Sequence, residues 1–431
     1  MERIAYQKLV EWKHSLQRKP LILEGARQVG KTWLMKELGN REYKNYVYVN
    51  FDRDVWAQNL FDNDYNIPRI LLQLQAQTGI RITAGETLII FDELQEAPRG
   101  LGALKYFCEE APEQHVIVAS SLLGITLHQG QSFPVGKVDL LHIYPLTFIE
   151  FLLAAGESIK AECITKQDWD ILKSLSYQYE ELLRQYYYIG GMPEAVSCFF
   201  ATQDLAAVRR IQRNILTGYQ NDVSKHAPAQ EVQRILMVLR SMPAQLSKEN
   251  KKFIYGVLKN GARAKDFELA IQWLIDAGIL YRVSRVSEPR MPLSAYEDME
   301  AFKLFMLDCG LLGCLGEVPV RQMLIGDNIF VEWKGAFTEQ FVLQQLLMTY
   351  PIAYWSSNKS ECEIDFLIQT EERIIPIEIK VEDNVQAKSF KYFIQHLYPA
   401  LKGIRLSMKP YIDQGWMVNV PLFAAGALPI E

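Results

Sequence analysis

The feature that most constrains this chain is a short segment near its amino terminus, where two glycines enclose four residues and precede lysine and threonine. Gly25 to Thr32 read GARQVGKT. To bind an anion, consecutive backbone N–H groups must turn inward around it. Glycine at the tight positions of the bend permits this turn without steric cost. An apolar run, Leu21 to Leu23, precedes the loop, and a helix-like segment follows it. Because a helix N-terminus also attracts phosphate, this order predicts a site for ATP or GTP.

Each residue type in the loop has a predicted role. Lys31 reaches the outer phosphates and takes part in catalysis, and the Thr32 hydroxyl holds Mg²⁺. The predicted cofactors are therefore ATP and Mg²⁺. The residues expected to contact the nucleotide form one continuous stretch: Gly25, Ala26, Arg27, Gln28, Val29, Gly30, Lys31, Thr32 and Trp33.

A second apolar run, Leu88 to Phe91, ends in two acids. A buried strand would fix Asp92 at the carboxyl end of a sheet, opposite Thr32, where it orients the Mg²⁺ shell as a Walker B acid. Glu93 is predicted to activate the attacking water. A general base directed at water is needed for hydrolysis, so this second acid favours hydrolysis over phosphoryl transfer to another substrate. The alternative is an ordinary acidic strand end.

A serine pair, a glycine-rich turn and three arginines are further candidates for this site. Ser120 and Ser121 follow an apolar run and would hold the attacking water or the terminal phosphate, or else cap a helix. The turn containing Gly191 and Pro193 would lie beside the nucleotide, with a plain helix stop as the alternative. No arginine finger is assigned, and the candidates are Arg27, Arg99 and Arg213.

The spacing of apolar runs predicts the domain order. Short apolar runs separated by helical stretches are typical of parallel strands buried on both faces, so residues 1–150 are predicted to be an α/β domain. Helical periodicity over 151–226 predicts a helical lid. Residues 227–300 favour a winged helix, and 301–431 a second α/β unit with its own hairpin. Within the winged segment the pattern predicts helices over 231–242, 251–259 and 264–278, and then a β pair over 279–286.

Two alternating segments near the carboxyl terminus, Glu361 to Ile368 and Ile374 to Val381, predict a hairpin. Pro376 counts against a fully central position for the second strand, because proline cannot donate to a ladder. A turn centred on Glu371-Glu372 matches the apolar faces. It pairs Ile364 with Ile379, Phe366 with Ile377, and Ile368 with Ile375.

In the same register Asp365 faces Glu378, and Glu363 faces Lys380. Like charges so close repel unless a cation lies among them, so Mg²⁺ is predicted at Asp365 and Glu378, with Lys380 near the reacting phosphate or water. The alternative is a solvated, cross-strand-paired face. Glu339, in an amphipathic segment, is either a further ligand or an exposed helical glutamate.

Composition limits the partners. The 431 residues are 49% hydrophobic and carry a net charge of −5, which disfavours indiscriminate nucleic-acid binding and leaves it to a local patch. The six cysteines have no C-x-x-C spacing, which favours reduced thiols in a cytoplasm and makes zinc improbable. A charged amino terminus predicts no secretory signal. The uncharged stretch Gln114 to Gly136 is read as strand and loop, so no membrane segment is expected.

With these residues in place, the chain resembles bacterial and archaeal AAA-type (STAND-like) P-loop ATPases that carry a carboxyl-terminal domain of the restriction-endonuclease-like type. The likeness covers nearly the whole length. The segments that carry it are GARQVGKT, IIFDELQEAP, SSLLGI, FPVGKV, YPLTFIEFL, GGMPEAV, YQNDVSKH, FKLFMLDCGLL, EIDFLI and IPIEIK.

The resemblance implies nucleotide contacts along the loop, Mg²⁺ and catalytic roles for Asp92 and Glu93, and a Gly191–Pro193 turn at the nucleotide. It also implies a PD-(D/E)xK pattern in the last domain, carried by Glu339, Asp365, Glu378 and Lys380. Ile364 stands where that pattern often has proline. Ser120 stands where the family usually has glycine, which leaves Ser121 as the sensor-like group.

Three functions are weighed. The first is an ATPase switch whose nucleotide state repositions a winged helix and a nuclease-like domain on DNA. A basic cluster gives it modest support, with a solvated face as the alternative, and consists of Lys248, Lys251, Lys252, Lys259, Arg263 and Lys265. The second is an ATP-controlled interaction or scaffold protein whose nuclease-like domain is silent. The third, a P-loop kinase of small molecules, fits poorly with Asp92-Glu93. The oligomeric state is left open.

Overall fold

The computed structural model describes residues 2–120, 133–248, 251–320, 331–357, 362–380 and 388–430, with the backbone alone at 331–334. The chain divides into two compact units. The N-terminal unit comprises Glu2–Tyr144 together with the short segment Asp276–Ile279. The C-terminal unit comprises Pro145–Ile275 and Leu280–Glu431.

A parallel sheet forms the centre of the N-terminal unit. Its strands, within the described residues, are β1 (Leu21–Glu24), β2 (Asn45–Asn50), β3 (Thr87–Asp92), β4 (His115–Ala119) and β5 (Asp139–His142). Their order is β2-β3-β4-β1-β5, and every neighbouring pair is parallel. This α/β fold with a parallel sheet is typical of a P-loop ATPase core and confirms the prediction for this part of the chain.

The two edge strands, β2 and β5, were not predicted from the sequence. The predicted apolar runs correspond to β1, β3 and β4, the three inner strands, and β3 and β4 are buried at every residue. By contrast, only Val47 and Val49 of β2 are buried, at alternate positions, and β5 has no fully buried residue. An edge strand with one solvated side lacks the continuous apolar run that marks a central parallel strand.

Helices cover this sheet. They are α1 (Ile4–His14), α2 (Lys31–Glu42), α3 (Val55–Gln58), α4 (Ile67–Thr78) and α5 (Gly100–Glu110). A core cluster joins β2, β3 and β4 to α3, α4 and α5, with Phe51, Phe91 and Phe107 among its largest members. Burial of this cluster fixes the carboxyl end of β3, where the two predicted acids lie.

The first part of the C-terminal unit is helical, as the periodicity predicted. Its helices are α6 (Phe148–Ala154), α7 (Ser158–Thr165), α8 (Trp169–Ser174), α9 (Ser176–Ile189), α10 (Pro193–Thr202) and α11 (Leu205–His226). A capping box at Thr147 and Glu150 begins α6. Gly190, with φ +75°, ends α9.

The segment predicted to be a winged helix has two of its three expected helices. They are α12 (Val232–Leu246) and α13 (Ala264–Asp276). The helix predicted over 251–259 was wrong. Lys252 instead forms a β-bridge with Lys303, Phe253 N–H donates to Phe302 O, and a short 3₁₀ turn follows at Tyr255–Val257. Here pairing with a distant strand overrides a helical pattern.

The predicted β pair over 279–286 was also wrong, because these residues form one strand. That strand is β6 (Leu280–Val286), and its antiparallel partner is β7 (Glu297–Met306). The boundary placed at residue 300 falls inside β7. The helix α14 (Cys309–Leu315) follows directly.

A mixed sheet of eight strands within the described residues includes this hairpin. Its other strands are β8 (Ile352–Ser356), β9 (Glu363–Gln369), β10 (Ile374–Lys380), β11 (Gly403–Ser407), β12 (Ile412–Asp413) and β13 (Met417–Pro421). The order is β12-β13-β11-β10-β9-β8-β6-β7. The accompanying helices are α15 (Val331–Leu346), α16 (Lys388–Tyr392) and a π-helical turn at Phe393–Leu397. The β6–β7 hairpin therefore belongs to the same sheet as the carboxyl-terminal strands.

The predicted register of the carboxyl-terminal hairpin is confirmed where the two strands pair. Ile375 lies opposite Ile368, and Ile377 opposite Phe366. β10 is an interior strand although it contains Pro376, because its pairing with β11 begins only at Ile377. The missing proline N–H therefore falls outside that ladder.

Two further predictions can be compared with the described residues. In that part of the chain no helix is long and apolar enough to cross a bilayer. All six cysteines are free thiols.

Candidate functional site

The phosphate-binding loop has the backbone shape that its glycines predict. Gly25 has φ +129°, and a Cβ at this position would lie 2.3 Å from the carbonyl oxygen of Ile143. Gly30, at the start of α2, has φ +96°. Gln28 also has a positive φ, +67°, which is uncommon for a residue with a side chain. The loop is held in a tight bend that needs glycine at its two ends.

Lys31 lies inside this bend. Its side chain is buried, and Nζ donates to the carbonyl oxygens of Gly25 and Ala26, each at 2.7 Å. Burial lowers the pKa of Lys31 to about 8, against the opposing effect of the nearby Glu93 and Asp92 carboxylates. The ammonium group is thus positioned at the centre of the loop and has little solvent around it.

Asp92 and Thr32 meet as predicted. Thr32 Oγ1 donates to Asp92 Oδ2 at 2.9 Å, and the Tyr48 hydroxyl donates to the same oxygen at 2.7 Å. Asp92 is buried, and its other oxygen, Oδ1, has no hydrogen-bond partner in the described part of the chain. Burial raises the pKa of Asp92. Tyr48, on the edge strand β2, was not predicted, and its alternating strand NYVYVN was the one signal for it.

Glu93 follows Asp92 in a left-handed conformation, with φ +54°. Gln95 Nε2 donates to Glu93 Oε2 at 2.5 Å. A residue with a side chain rarely adopts this conformation, and such strain is concentrated at functional positions. The hydrogen bond from Gln95 holds the Glu93 carboxylate in place.

The remaining loop residues and the serines have different environments. Ala26 and Val29 are buried, whereas Trp33 is 40% exposed. Ser120 is buried at the end of β4, and its hydroxyl has no hydrogen-bond partner among the described residues. Ser121 lies outside the described residues, so its predicted role stays a prediction.

Among the candidate arginines, Arg99 donates to Asp62 O at 2.5 Å and to the Tyr65 hydroxyl at 3.3 Å, which occupies its guanidinium. Arg213 lies in the C-terminal unit, on α11. Arg27 belongs to the loop itself. None of the three is assigned as an arginine finger.

Gly191 and Pro193 lie in the C-terminal unit, between α9 and α10. Gly191 N–H donates to Asp308 Oδ2 at 2.5 Å, and Leu146 N–H donates to Gly191 O at 2.7 Å. A Cβ on Gly191 would lie 2.1 Å from Leu146 O, so close packing by itself requires glycine here. A place for this turn beside the nucleotide stays a prediction.

The second group of predicted residues lies in the C-terminal unit and forms a buried charge cluster. Glu339 on α15 is buried, against the expectation for an exposed helical glutamate, and Glu378 on β10 is buried as well. Lys380 Nζ lies 2.6 Å from Glu378 Oε1. Asp365 Oδ2 accepts the Ile379 N–H at 2.7 Å. Burial and the neighbouring Glu339 and Glu378 carboxylates raise the pKa of Asp365 well above its usual range.

Two lysines complete the cluster. The sequence analysis did not single out Lys303, and it counted Lys251 among the basic residues that favour DNA binding. Lys251 makes an ion pair with Glu339 Oε1, and both side chains are buried. Lys303 Nζ lies 2.6 Å from Glu363 Oε1 and 3.7 Å from Glu339 Oε2. Burial disfavours the charge on Lys303, but Glu339 and Glu363 raise its pKa above the usual value. The predicted facing of Glu363 and Lys380 does not produce an ion pair, because each has another partner.

This cluster does not fit a resident divalent cation. Burial would raise the pKa of Glu339, but Lys251 and Lys303 lower it, so its carboxylate is already balanced by ammonium groups. Glu378 is paired with Lys380. Within the described ranges, no group of three or more His, Cys, Asp or Glu side chains is arranged to hold a metal ion. Three lysines therefore balance three of the four carboxylates, and the raised pKa of Asp365 favours its neutral form.

Comparison with known proteins bears on the two sites differently. A family model described as an AAA domain matches residues 17–152, which contain the loop, Asp92 and Glu93. This match supports a P-loop ATPase in this part of the chain. Two models described as domains of unknown function match residues 180–322 and 334–422. None of the curated proteins matches the chain.

Similar solved structures include a Walker-type ATPase of Pyrococcus abyssi, which is 14% identical in sequence. The match covers 73% of this chain and 95% of that chain, with a TM-score of 0.45. The Aeropyrum pernix Orc1 protein in complex with DNA has 14% identity, coverage of 74% and 93%, and a TM-score of 0.25. A protein of Vibrio cholerae, VC1899, has 12% identity, coverage of 94% and 95%, and a TM-score of 0.17. These TM-scores are too low to establish a shared fold.

The ATPase domain fits ATP and Mg²⁺. Thr32 Oγ1 and Asp92 Oδ2 converge beside Lys31, and Asp92 Oδ1 is a buried oxygen without a hydrogen bond among the described residues. Magnesium prefers such oxygen ligands and usually keeps several waters. These residues would hold the ion, which would neutralise phosphate charge.

Two residues far from the loop in sequence support it, and neither was predicted. Arg3 is buried and donates to Val29 O at 2.9 Å and to Tyr144 O at 2.7 Å. Gly278, in the Asp276–Ile279 segment of the N-terminal unit, has φ +70°, and a Cβ there would lie 3.0 Å from Ala26 N. Both residues restrict the position of the loop backbone.

We expect Gly278→Ala to weaken ATP binding about tenfold, because the added methyl group displaces the Ala26 backbone. Gly79→Ala is the matched control, since Gly79 also has φ +70° but has nothing within 4 Å of its Cβ position. In both variants alanine at a positive φ lowers the free energy of unfolding by a similar amount, about 1 kcal/mol. Calorimetric titration with Mg²⁺-ATP measures the difference, and equal affinities in the two variants would contradict the role of Gly278.

Proposed function

We propose that this chain is an ATP-hydrolysing switch. The observation that carries the proposal is the contact of Thr32 Oγ1 with Asp92 Oδ2, made beside the buried Lys31 and followed by the oriented Glu93. A phosphate loop, a metal-orienting acid and a second acid in one site are the groups that hydrolysis of a nucleoside triphosphate needs.

The residues divide the chemical work among themselves. Lys31 exchanges the carbonyl oxygens of Gly25 and Ala26 for phosphate oxygens, which are stronger acceptors for an ammonium group. Tyr48 and Thr32 hold Asp92 in place. Glu93 accepts a proton from the attacking water, and Gln95 keeps its carboxylate oriented.

Release of inorganic phosphate from ATP by the full chain tests this function directly. We expect release that requires Mg²⁺ and stops when the ion is chelated. A pure preparation that binds Mg²⁺-ATP but releases no phosphate would reduce the function to a nucleotide-controlled switch without hydrolysis.

We further propose that the nuclease-like part of the C-terminal unit acts on DNA without cutting it. The PD-(D/E)xK resemblance of residues 361–380 supports a relation to nucleases, and the ion pairs of Lys251 and Lys303 with the acid cluster favour the silent alternative. A nuclease of this type needs unneutralised carboxylates for Mg²⁺. Here the cluster contains lysines from residues 180–322 as well as acids from residues 334–422, so the two segments of unknown function form one structural unit.

Removal of one compensating lysine is expected to create a metal site. Lys251→Met keeps most of the side-chain volume but leaves the Glu339 carboxylate with one cation fewer. We expect its affinity for Mn²⁺ to rise about tenfold or more over the parent, as measured by calorimetry without nucleotide. Lys252→Met, a change at an exposed neighbouring lysine, is the control and should behave like the parent.

The parent should leave single-stranded, double-stranded and branched DNA intact in Mg²⁺ or Mn²⁺. Cleavage by the parent that is lost in Lys380→Ala would contradict the proposal. So would a parent Mn²⁺ site that Asp365→Asn removes.

A further inference from the structure

A polar cavity in the C-terminal unit is not used by either site described above. It has a volume of about 610 Å³ and is lined by residues of β6, β8 and α16 and of the segments beside them. Its lining includes Arg285, Ser356, Ser389, Lys388 and Tyr392. This volume falls in the range of cavities that bind a small organic ligand.

One wall presents a cation and an aromatic ring together. Lys388 and Tyr392 are four residues apart on α16, which places them on the same side of the helix, and both line the cavity. Tyr392 is 51% exposed, and its ring lies 5.4 Å from the His396 ring at a tilt of 34°. Lys388 is exposed as well. An ammonium group and an exposed aromatic ring are therefore available to one ligand.

Another part of the lining is fixed by hydrogen bonds and carries a balanced charge. Arg285 donates to Asp298 Oδ2 through Nε at 3.0 Å and through Nη2 at 2.5 Å, which fixes its guanidinium. The Trp355 indole N–H donates to Ser287 O at 3.3 Å, and its ring packs on Phe393. Because Asp298 balances Arg285, Lys388 supplies the excess positive charge of the cavity.

The cavity also offers serine hydroxyl donors, and its cysteine thiol is not ionised. Ser356 and Ser389 line it, together with Cys362, whose Sγ donates to Ser389 O at 3.4 Å. Burial, with the nearby Glu378 and Glu363 carboxylates, raises the pKa of Cys362 to about 11. The thiol is therefore uncharged at neutral pH and does not repel an anion.

We propose that this cavity binds one nucleotide of a single-stranded nucleic acid, with the phosphate at Lys388 and the serine hydroxyls and the base stacked on Tyr392. Hydroxyl and ammonium donors are the usual phosphate contacts of nucleic-acid-binding proteins, and an exposed ring accepts any base. In a duplex the base faces are covered by stacking, so a single strand fits better. This inference rests on the DNA-acting role proposed for the C-terminal unit and not on ATP hydrolysis.

Fluorescence anisotropy of labelled dT12 and U12 with the full chain, at low salt and without ATP, tests the proposal. We expect Lys388→Ala combined with Tyr392→Ala to weaken binding of the preferred oligonucleotide at least about tenfold, since stacking of one base contributes strongly to affinity. Lys388→Ala alone should also make the affinity less dependent on salt concentration. The slope of log affinity against log salt concentration should fall by the amount expected for about one phosphate contact.

Two controls separate the cavity from general charge and from folding. Lys391→Ala removes an exposed lysine of the same helix that does not line the cavity, and Tyr177→Ala removes another exposed tyrosine, on α9. Both should bind like the parent. Equal losses in Lys388→Ala and Lys391→Ala, no binding of either oligonucleotide by the parent, or tighter binding of duplex than of single strands would each overturn the proposal. Because ATP is absent, these outcomes are independent of the ATPase assay.

Discussion

Lys31→Ala is expected to lower kcat/KM for ATP hydrolysis about 100-fold or more. The Lys31 ammonium is buried in the loop and is bonded to the Gly25 and Ala26 carbonyls, so its loss removes a positioned cation from the phosphates. Steady-state phosphate release measures the change.

Lys44→Ala is the control for loss of a lysine from the same unit. Lys44 is exposed and pairs with Glu86 at the surface, where an ion pair contributes little to stability. We expect it to retain the parent rate. If Lys31→Ala hydrolysed ATP as fast as Lys44→Ala, the assignment of the nucleotide site would be wrong.

Glu93→Gln is expected to lower kcat for ATP hydrolysis about 100- to 10,000-fold while ATP affinity changes little. The amide keeps the size of the side chain but cannot accept the proton of the attacking water. Because Glu93 follows Asp92 and does not form the loop, the phosphate contacts remain. Single-turnover hydrolysis and calorimetric binding separate the two quantities.

Glu96→Gln tests whether the effect belongs to position 93. Glu96 is a half-buried carboxylate at the end of the 3₁₀ turn Leu94–Glu96, which directly follows Glu93. Its replacement should leave kcat unchanged. A Glu93→Gln enzyme with full activity would remove Glu93 from the mechanism and leave the attacking water without the predicted base.

The ATPase site was largely predictable because its groups follow one another along the chain. The loop is eight consecutive residues, and Asp92-Glu93 directly follow a buried strand. Strand, loop and helix are local features, so periodicity and glycine positions were sufficient. The hairpin register of β9 and β10 was predictable for a similar reason, since apolar faces match in one alignment of the strands.

The residues that support or neutralise these sites were not predictable, because they meet their partners across long sequence separations. Arg3 contacts the Val29 carbonyl, and Gly278 lies against Ala26. Lys251 reaches the acid cluster from the segment predicted to be a winged helix, and Lys303 reaches it from the start of the next predicted unit. A single lysine or glycine has no periodicity that points to a distant partner.

The error over 251–259 shows the same limit for secondary structure. Residues 253–258 read FIYGVL, a short apolar run that fits a strand as well as a helix. Pairing of Lys252 and Phe253 with β7 decides the conformation. Tertiary contacts of this kind override local propensity, and a single sequence does not display them.

Equilibrium binding of Mg²⁺-ATP to the full chain tests the central claim most directly. We predict one nucleotide bound per chain, with heat on calorimetric titration and a rise in the unfolding temperature, and both lost in Lys31→Ala. A parent protein that gives neither heat nor a thermal shift with ATP or GTP would contradict the account.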